Sequence, residues 1–445
     1  MSEMSAASGV SPSGAGNSSA TGPAALKALG LALVVGIIAA LAAAFYSGAF
    51  EEAQKFLYKD LPAHFGWTSI PSWWAGAVLF VGATVVALAR RLPGETGEGP
   101  LTGFHFTNPA RLAPSVLIAA FATLACGFAL GPEAPLIVLG SAVGAVLMRK
   151  REPDAIKLAM FLGGIAAIGS VFGNPLISGF MVLEFIAMGM APAVLILPTF
   201  VALASGYLVQ VGILGWPGLG VHDLEVPGIP AYPQILPKDL IFGLTVAAGA
   251  GLIGVLARRI GLRVDVQAKR RPIVTLYVVA AITLMALLIA NTGFGLPANQ
   301  VLFNGSSGIP YLLTQTSVVA VLVTLGCKLL AYSVALGGGY RGGAIFPATF
   351  LGVALGVLAS LTLGVSITAM AAAGIAGTAA AMMKLPATSA LLATLLLMSS
   401  IQTVAPFAIY GAVIGYLIRV GFDLRFPESI RSNDPLMDEP AELPA

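Results

Sequence analysis

The chain has 445 residues, of which 57% are hydrophobic and only 10% charged, and its mean hydropathy is +0.91. A soluble domain carries about 25% charged residues, so a soluble globular fold is excluded and a lipid-embedded one expected. The net charge of +3 comes from Lys/Arg clusters lying between apolar runs, not from a basic stripe, which argues against nucleic acid as a partner.

Residues 1–24 are mostly Ser, Gly and Ala, too poor in large apolar groups to offset the entropy of ordering, and are expected to form a disordered arm. The run 25–46 would pass for a signal peptide alone, but the apolar runs after it make it a first membrane helix. Further apolar stretches fall near 73–92, 112–130, 134–148, 155–172, 175–190, 192–213, 239–257, 273–292, 311–334, 344–362, 366–381, 385–401 and 404–420. Crossing about 30 Å of hydrocarbon takes about 20 residues, so 134–148 and 385–401 predict tilted or partial helices that meet inside the membrane. Basic clusters at Arg90 and Arg91, 149–151 and 258–271 flank these runs and point to the cytoplasmic side. The expected organisation is one multi-pass transmembrane domain over 25–426 in the cell membrane, then a short acidic tail over 427–445 with no room for a regulatory domain.

Cys126 and Cys327 sit in apolar runs with no CxxC, and His64, His105 and His222 show no ligand spacing. Packing thiols, no metal and no cofactor are therefore expected.

Comparing the halves, about 25–213 and 239–426, shows an internal repeat. Pro135-LIVLG-SAVG and Pro347-ATFLG-VALG share P-x4-G-x3-G, so that Gly140 and Gly144 answer Gly352 and Gly356. A second echo follows each copy, Gly164-IAAIGSVFGN-Pro175 and Gly374-IAGTAAAMMKL-Pro386, offset by one residue. Duplicated halves with Gly/Pro-interrupted helices place a transport site at the repeat interface, near the membrane midplane.

Each repeated helix is preceded by a small-residue turn, Gly131-Pro-Glu-Ala-Pro135 in one half and Gly342-Gly-Ala-Ile-Phe-Pro347 in the other. The first N–H groups of a helix lack internal partners and carry partial positive charge, so two such ends converging in a dry cavity make an anion cradle. Gly131, Gly342 and Gly343 allow close backbone approach, and Pro135 and Pro347 suit first-turn positions. Glu133 is an expensive carboxylate inside the membrane; at such a helix start it can take the anion's place and swing away when protonated.

GPEAP followed by P-x4-G, and then GGAIFP, resembles the signatures GREGP and GxFxP of the CLC chloride channel and proton/anion antiporter family. The resemblance spans roughly residues 30–425. It implies an all-α, inverted-repeat bundle of tilted, partly re-entrant helices, assembled as a homodimer with a separate pore in each subunit. By it Glu133 matches the gating glutamate, and the backbone amides of Ala134, Ala344 and Ile345 match ion-contacting amides.

Several positions depart from that pattern. Pro132 replaces the arginine of GREGP and removes a backbone donor as well as a charge. The family's GSGIP turn is at best Thr96-Gly97-Glu98-Gly99-Pro100, with Gly97 in the serine position. No tyrosine precedes the family's last helix, and Tyr410 and Tyr416 are expected to pack. Along the segment that ends in an acidic pair in antiporters, Glu184 matches the first acid, a candidate proton relay, while Phe185 takes the place of the second. Arg341 is a candidate for electrostatic steering beside the second turn, and Lys328 and Lys384 are vestibule candidates.

The function expected is passage of small inorganic anions, chloride first and fluoride or nitrate as alternatives, by conduction or by exchange with protons. A carrier for another small solute on the same scaffold is the runner-up. An intramembrane enzyme would need a nucleophile–base pair or metal set, and neither HExxH nor GxSxG is present, so no enzyme is expected.

Overall fold

Proline marks where many helices of this chain begin. Pro153, Pro175, Pro237, Pro272 and Pro386 each stand at the first helical position, where the missing N–H is no loss and the fixed φ suits the helix. Elsewhere a side chain does the capping: Ser317 Oγ accepts from Ala320 N at 3.3 Å and Ser366 Oγ from Ala369 N at 3.3 Å.

In the computed structural model of the chain, residues 22–427 are described, except 68, 95, 107–109 and 221–224. Nearly all of the expected arm and tail, and His222, lie outside them. The helices are α1 Pro23–Lys55, α2 Leu61–His64, α3 Ser72–Ala89, α4 Ala113–Ala125, α5 Glu133–Met148, α6 Pro153–Val171, α7 Pro175–Ala187 and α8 Ile196–Val211. The second half follows with α9 Pro237–Arg270, α10 Pro272–Leu288, α11 Ile309–Leu313, α12 Val318–Gly337, α13 Ile345–Leu363, α14 Ile367–Met383, α15 Pro386–Leu396 and α16 Ile401–Arg425. Among the described residues, 9 helical segments are long and apolar enough to cross a membrane. By contrast α7 has 13 residues and α15 has 11, about 20 Å or less at 1.5 Å per residue, so neither spans the bilayer.

The two halves pack alike. Helix α5 lies on α6 as α13 lies on α14, α1 touches α6 and α8 as α9 touches α14 and α16, and α3–α4–α5 corresponds to α10–α12–α13. Across the halves α3 meets α10 and α7 meets α15, so the corresponding elements pair on the repeat axis. The shared P-x4-G-x3-G pattern has a packing reason. A Cβ at Gly140 would strike the Gly163 carbonyl and one at Gly144 the Ala159 carbonyl; Gly352 meets the backbone of Gly374 and Gly356 that of Ala371. Small residues at this spacing let two membrane helices touch backbone to backbone.

Two segments differ from the sequence expectation. The run 311–334 is not one helix: α11 ends at Leu313 and α12 starts at Val318. Nor does the helix over 239–257 stop there, since α9 continues to Arg270. Its charges find partners on the way: Arg258 Nη1 donates to the Leu101 carbonyl at 2.7 Å, and Arg259 Nη2 donates to those of Phe422 at 3.1 Å and Phe426 at 2.7 Å.

Candidate functional site

The two small-residue turns meet back to back. Gly131 N donates to the Gly343 carbonyl at 2.8 Å and Gly343 N donates to the Gly131 carbonyl, an antiparallel pair lying between the starts of α5 and α13. Helix α5 begins at Glu133 with Pro132 as its N-cap, and α13 begins at Ile345 with Ala344 as its N-cap. Tyr332, fully buried on α12, donates its hydroxyl to the Ala344 carbonyl at 2.6 Å and so fixes the second turn from behind.

Glu133 crosses from one turn to the other. Its side chain is fully buried, and Oε1 accepts from Ile345 N at 3.1 Å and Phe346 N at 2.9 Å, two of the orphan amides at the head of α13. A carboxylate there is favoured by the helix dipole and by charge-assisted hydrogen bonds. Oε2 has no hydrogen-bond partner. The glycines prove to make room for this side chain: a Cβ at Gly131 or Gly343 would overlap the Glu133 carboxylate, and one at Gly342 would press on Leu130.

A cavity lies on either side of this bridge. The first, about 340 Å³, is lined by Glu133, Ala134, Gly342, Gly343, Ala344 and Ile345, together with Arg258, Lys384 and Arg419. The second, about 370 Å³, is lined by Pro132, Phe346 and Thr349, and by Glu51 and Glu225. Phe346, on the wall of the second cavity, stacks on Phe172 with ring centroids 6.1 Å apart. Glu133 thus lines a basic chamber, while Phe346, whose amide holds the Glu133 carboxylate, lines an acidic one.

A profile of the family described as "Voltage gated chloride channel" matches residues 95–420. The chain belongs to the CLC family. Proteins named ion-transport protein YfeO from Salmonella schwarzengrund (strain CVM19633) and Salmonella typhimurium are each 27% identical to it over 340 residues, 74% of this chain and 79% of theirs. Among solved structures, a slow cyanobacterial Cl−/H+ antiporter superposes with a TM-score of 0.70 at 17% identity, covering 89% of this chain and 95% of that one. A CLC-type fluoride/proton antiporter gives a TM-score of 0.61 at 19% identity, covering 90% and 98%. These likenesses establish the CLC fold.

Against that frame the remaining sequence candidates take definite places. Ala134, Ala344 and Ile345 line the first cavity, and the amide that joins Ile345 in holding the carboxylate is that of Phe346, one residue further along than the motif suggested. Arg341 is not among the lining residues. Its guanidinium donates to the carbonyls of Thr96 and Gly97, both at 2.6 Å, and to that of Tyr340 at 3.1 Å, holding the TGEGP turn in position. Thr96 adopts φ 74°, outside the region that β-branched residues favour, so this turn needs the clamp. Gly97 does not line the cavity either; Pro100 and Thr102 do.

Glu184 acts as a cap in this structure. Oε1 accepts from Ala387 N at 2.7 Å, and Oε2 accepts from Thr388 N at 2.7 Å and from the Thr388 hydroxyl, at the head of α15. Its neighbour Phe185, not Glu184, faces the cavity. Lys328 is fully buried away from both cavities, donating to the carbonyls of Val301 at 3.2 Å and of Leu302 and Phe303 at 2.8 Å, with Nζ 5.1 Å from the Phe350 ring centre. Lys384 lines the first cavity and pairs with Asp423 at 2.6 Å. Tyr410 and Tyr416 pack in the apolar core and line neither cavity. Tyr332 and Phe346 are what sequence reasoning missed. Phe346 could have been found by counting the three free amides of the first turn; Tyr332 sits mid-helix with no local signal.

Proposed function

We propose that this CLC protein moves small inorganic anions, chloride first among them, across the cell membrane, with Glu133 as the gate. The observation that carries this reading is the Glu133 carboxylate seated on the Ile345 and Phe346 amides between two cavities. A group of charge −1 in that seat stands in for the transported ion. When it leaves, the same amides, with those of Ala134 and Ala344 beside them, receive the anion. No cationic side chain contacts Glu133 among the described residues, so the seat attracts by partial charges and releases readily. The unit is a single domain over 25–426, assembled as a homodimer with one pathway per subunit.

Exchange with protons is the second reading, favoured by the unpartnered Glu133 Oε2, the oxygen positioned to carry a proton. A proton there weakens the carboxylate's hold on two amides and frees the seat, so anion and proton alternate at one place. In that scheme Glu184 relays protons only if it first leaves its three donors. The neighbours described as Cl−/H+ and fluoride/proton antiporters have this kind of activity under their own names.

Purified protein in liposomes, loaded in turn with chloride, fluoride and nitrate and followed with an anion electrode and a pH dye together, tests both readings. Anion efflux accompanied by proton uptake supports exchange, and efflux without proton movement supports conduction. Absence of efflux under every gradient refutes anion transport.

A further inference from the structure

The first peptide of α13 is held from two directions. Ala344 is the N-cap of that helix, so its carbonyl takes the first intrahelical hydrogen bond. Helix ends fray, and a single bond along the axis leaves this peptide free to tilt. The same oxygen accepts the Tyr332 hydroxyl at 2.6 Å, a second donor that arrives from α12.

The peptide that carries the Ala344 carbonyl carries the Ile345 N–H at its other edge. The bond is trans and planar, so C=O and N–H point opposite ways. A donor that fixes the Ala344 oxygen on one side therefore fixes the direction of the Ile345 N–H on the other, and that N–H meets Glu133 Oε1 at 3.1 Å. The peptide before it is treated alike: Gly131 N on the Gly343 carbonyl at 2.8 Å sets the plane that carries the Ala344 N–H.

Tyr332 is built to hold still. Its side chain is fully buried and is not among the residues that line the cavity. One turn earlier on the same face of α12, Lys328 is fastened to the carbonyls of Val301, Leu302 and Phe303, which holds that face against rotation.

We infer that Tyr332 is a positioning residue for the seat at the head of α13: its hydroxyl, bonded to the Ala344 carbonyl from behind the cavity wall, aims the Ile345 N–H and so sets how tightly that amide holds its occupant. Its effect on anions rests on the proposed seat, whereas its effect on the Glu133 carboxylate does not.

Calorimetric titration of chloride into the full chain in lipid nanodiscs, in a Glu133→Ala background that empties the seat, tests this. Tyr332→Phe removes one oxygen atom and is expected to weaken chloride binding about fivefold, the equivalent of one neutral hydrogen bond. Tyr340→Phe is the control, since it deletes another buried hydroxyl that donates to a backbone carbonyl, that of Leu276 at 2.7 Å on α10. It should lower the melting temperature about as much and leave chloride affinity within about twofold. A merely structural hydroxyl would move the melting temperature alone, so unchanged chloride affinity in a folded Tyr332→Phe protein, or an equal loss in Tyr340→Phe, overturns the inference. Crystals of Tyr332→Phe with Glu133 in place read the same aim without an added ion: Ile345 N is expected to draw away from Glu133 Oε1 beyond hydrogen-bond range. An unchanged bond there overturns the inference whatever chloride does. A broken bond, together with a Glu133→Ala protein that binds no chloride, removes the anion seat and leaves the aim of the peptide standing.

Discussion

Gly343→Ala tests the gate without touching Glu133. The Gly343 backbone is not in the left-handed region, so alanine is allowed there, but its Cβ would overlap Glu133 Oε2 and crowd its carboxyl carbon. Either the carboxylate leaves the Ile345 and Phe346 amides or the Gly131–Gly343 pair opens. If the carboxylate leaves, the closed gate loses its two charge-assisted hydrogen bonds, each worth about 1.5–3 kcal/mol. Taking the lower value for both gives about 3 kcal/mol, which at about 1.4 kcal/mol per tenfold shifts the closed-to-open ratio by about a hundredfold. Chloride efflux from liposomes between pH 4 and 8 reads this out: the variant should pass anions faster than wild type at neutral pH and lose most of its pH dependence. Adding the change to Glu133→Gln should do little more, because both act on one contact. A Gly343→Ala protein with wild-type rate and pH profile would refute the steric argument.

Other residues make separate predictions. Lys328→Met should lower stability by about 3 kcal/mol, since three buried carbonyls lose their donor while only part of the loss is offset by removing a buried charge; a thermal melt equal to wild type would show the carbonyl cage to be unimportant. Glu184→Gln should lower stability by about 1 kcal/mol through loss of the α15 cap and leave the ratio of protons to anions unchanged; lost proton movement with retained anion flux would instead make Glu184 the relay. Glu98 is held below the ordinary carboxylate range chiefly by its hydrogen bond with His105, against the opposing effect of partial burial. Its contribution to stability is therefore complete above the unfolded carboxylate value and disappears as pH falls through the depressed folded one. The melting difference between wild type and Glu98→Gln should shrink and vanish as pH falls into the acid range, and a difference that grows in acid would contradict the assignment.

Much of this architecture was legible because lipid enforces it. Long apolar runs must become helices, proline fixes where they start, and the spacing of Gly140 and Gly144 and of Gly352 and Gly356 betrays backbone-to-backbone packing in both halves. The helix starts at Glu133 and Ile345 were legible for the same reason, since a Gly-rich turn followed by a first-turn proline has few other uses. Contacts set by the third dimension were not. Arg341 reads in sequence as a free charge beside the pore, but the chain brings it against carbonyls of the 96–97 turn, over 240 positions away. Glu184 reads as a lone acid and becomes a cap because α15 begins opposite it. Lys328 has no nearby acid to announce a partner, because its partners are carbonyls that every residue possesses.

The central claim is that the Glu133 carboxylate occupies the anion's own seat at the head of α13. Anomalous diffraction from crystals of Glu133→Ala grown in bromide tests it most directly. The account predicts a bromide peak within hydrogen-bond reach of the Ile345 and Phe346 amides that is absent from wild-type crystals grown alike. Bromide elsewhere in the cavities with that position unfilled, or a peak at those amides with Glu133 still bound to them, would contradict it.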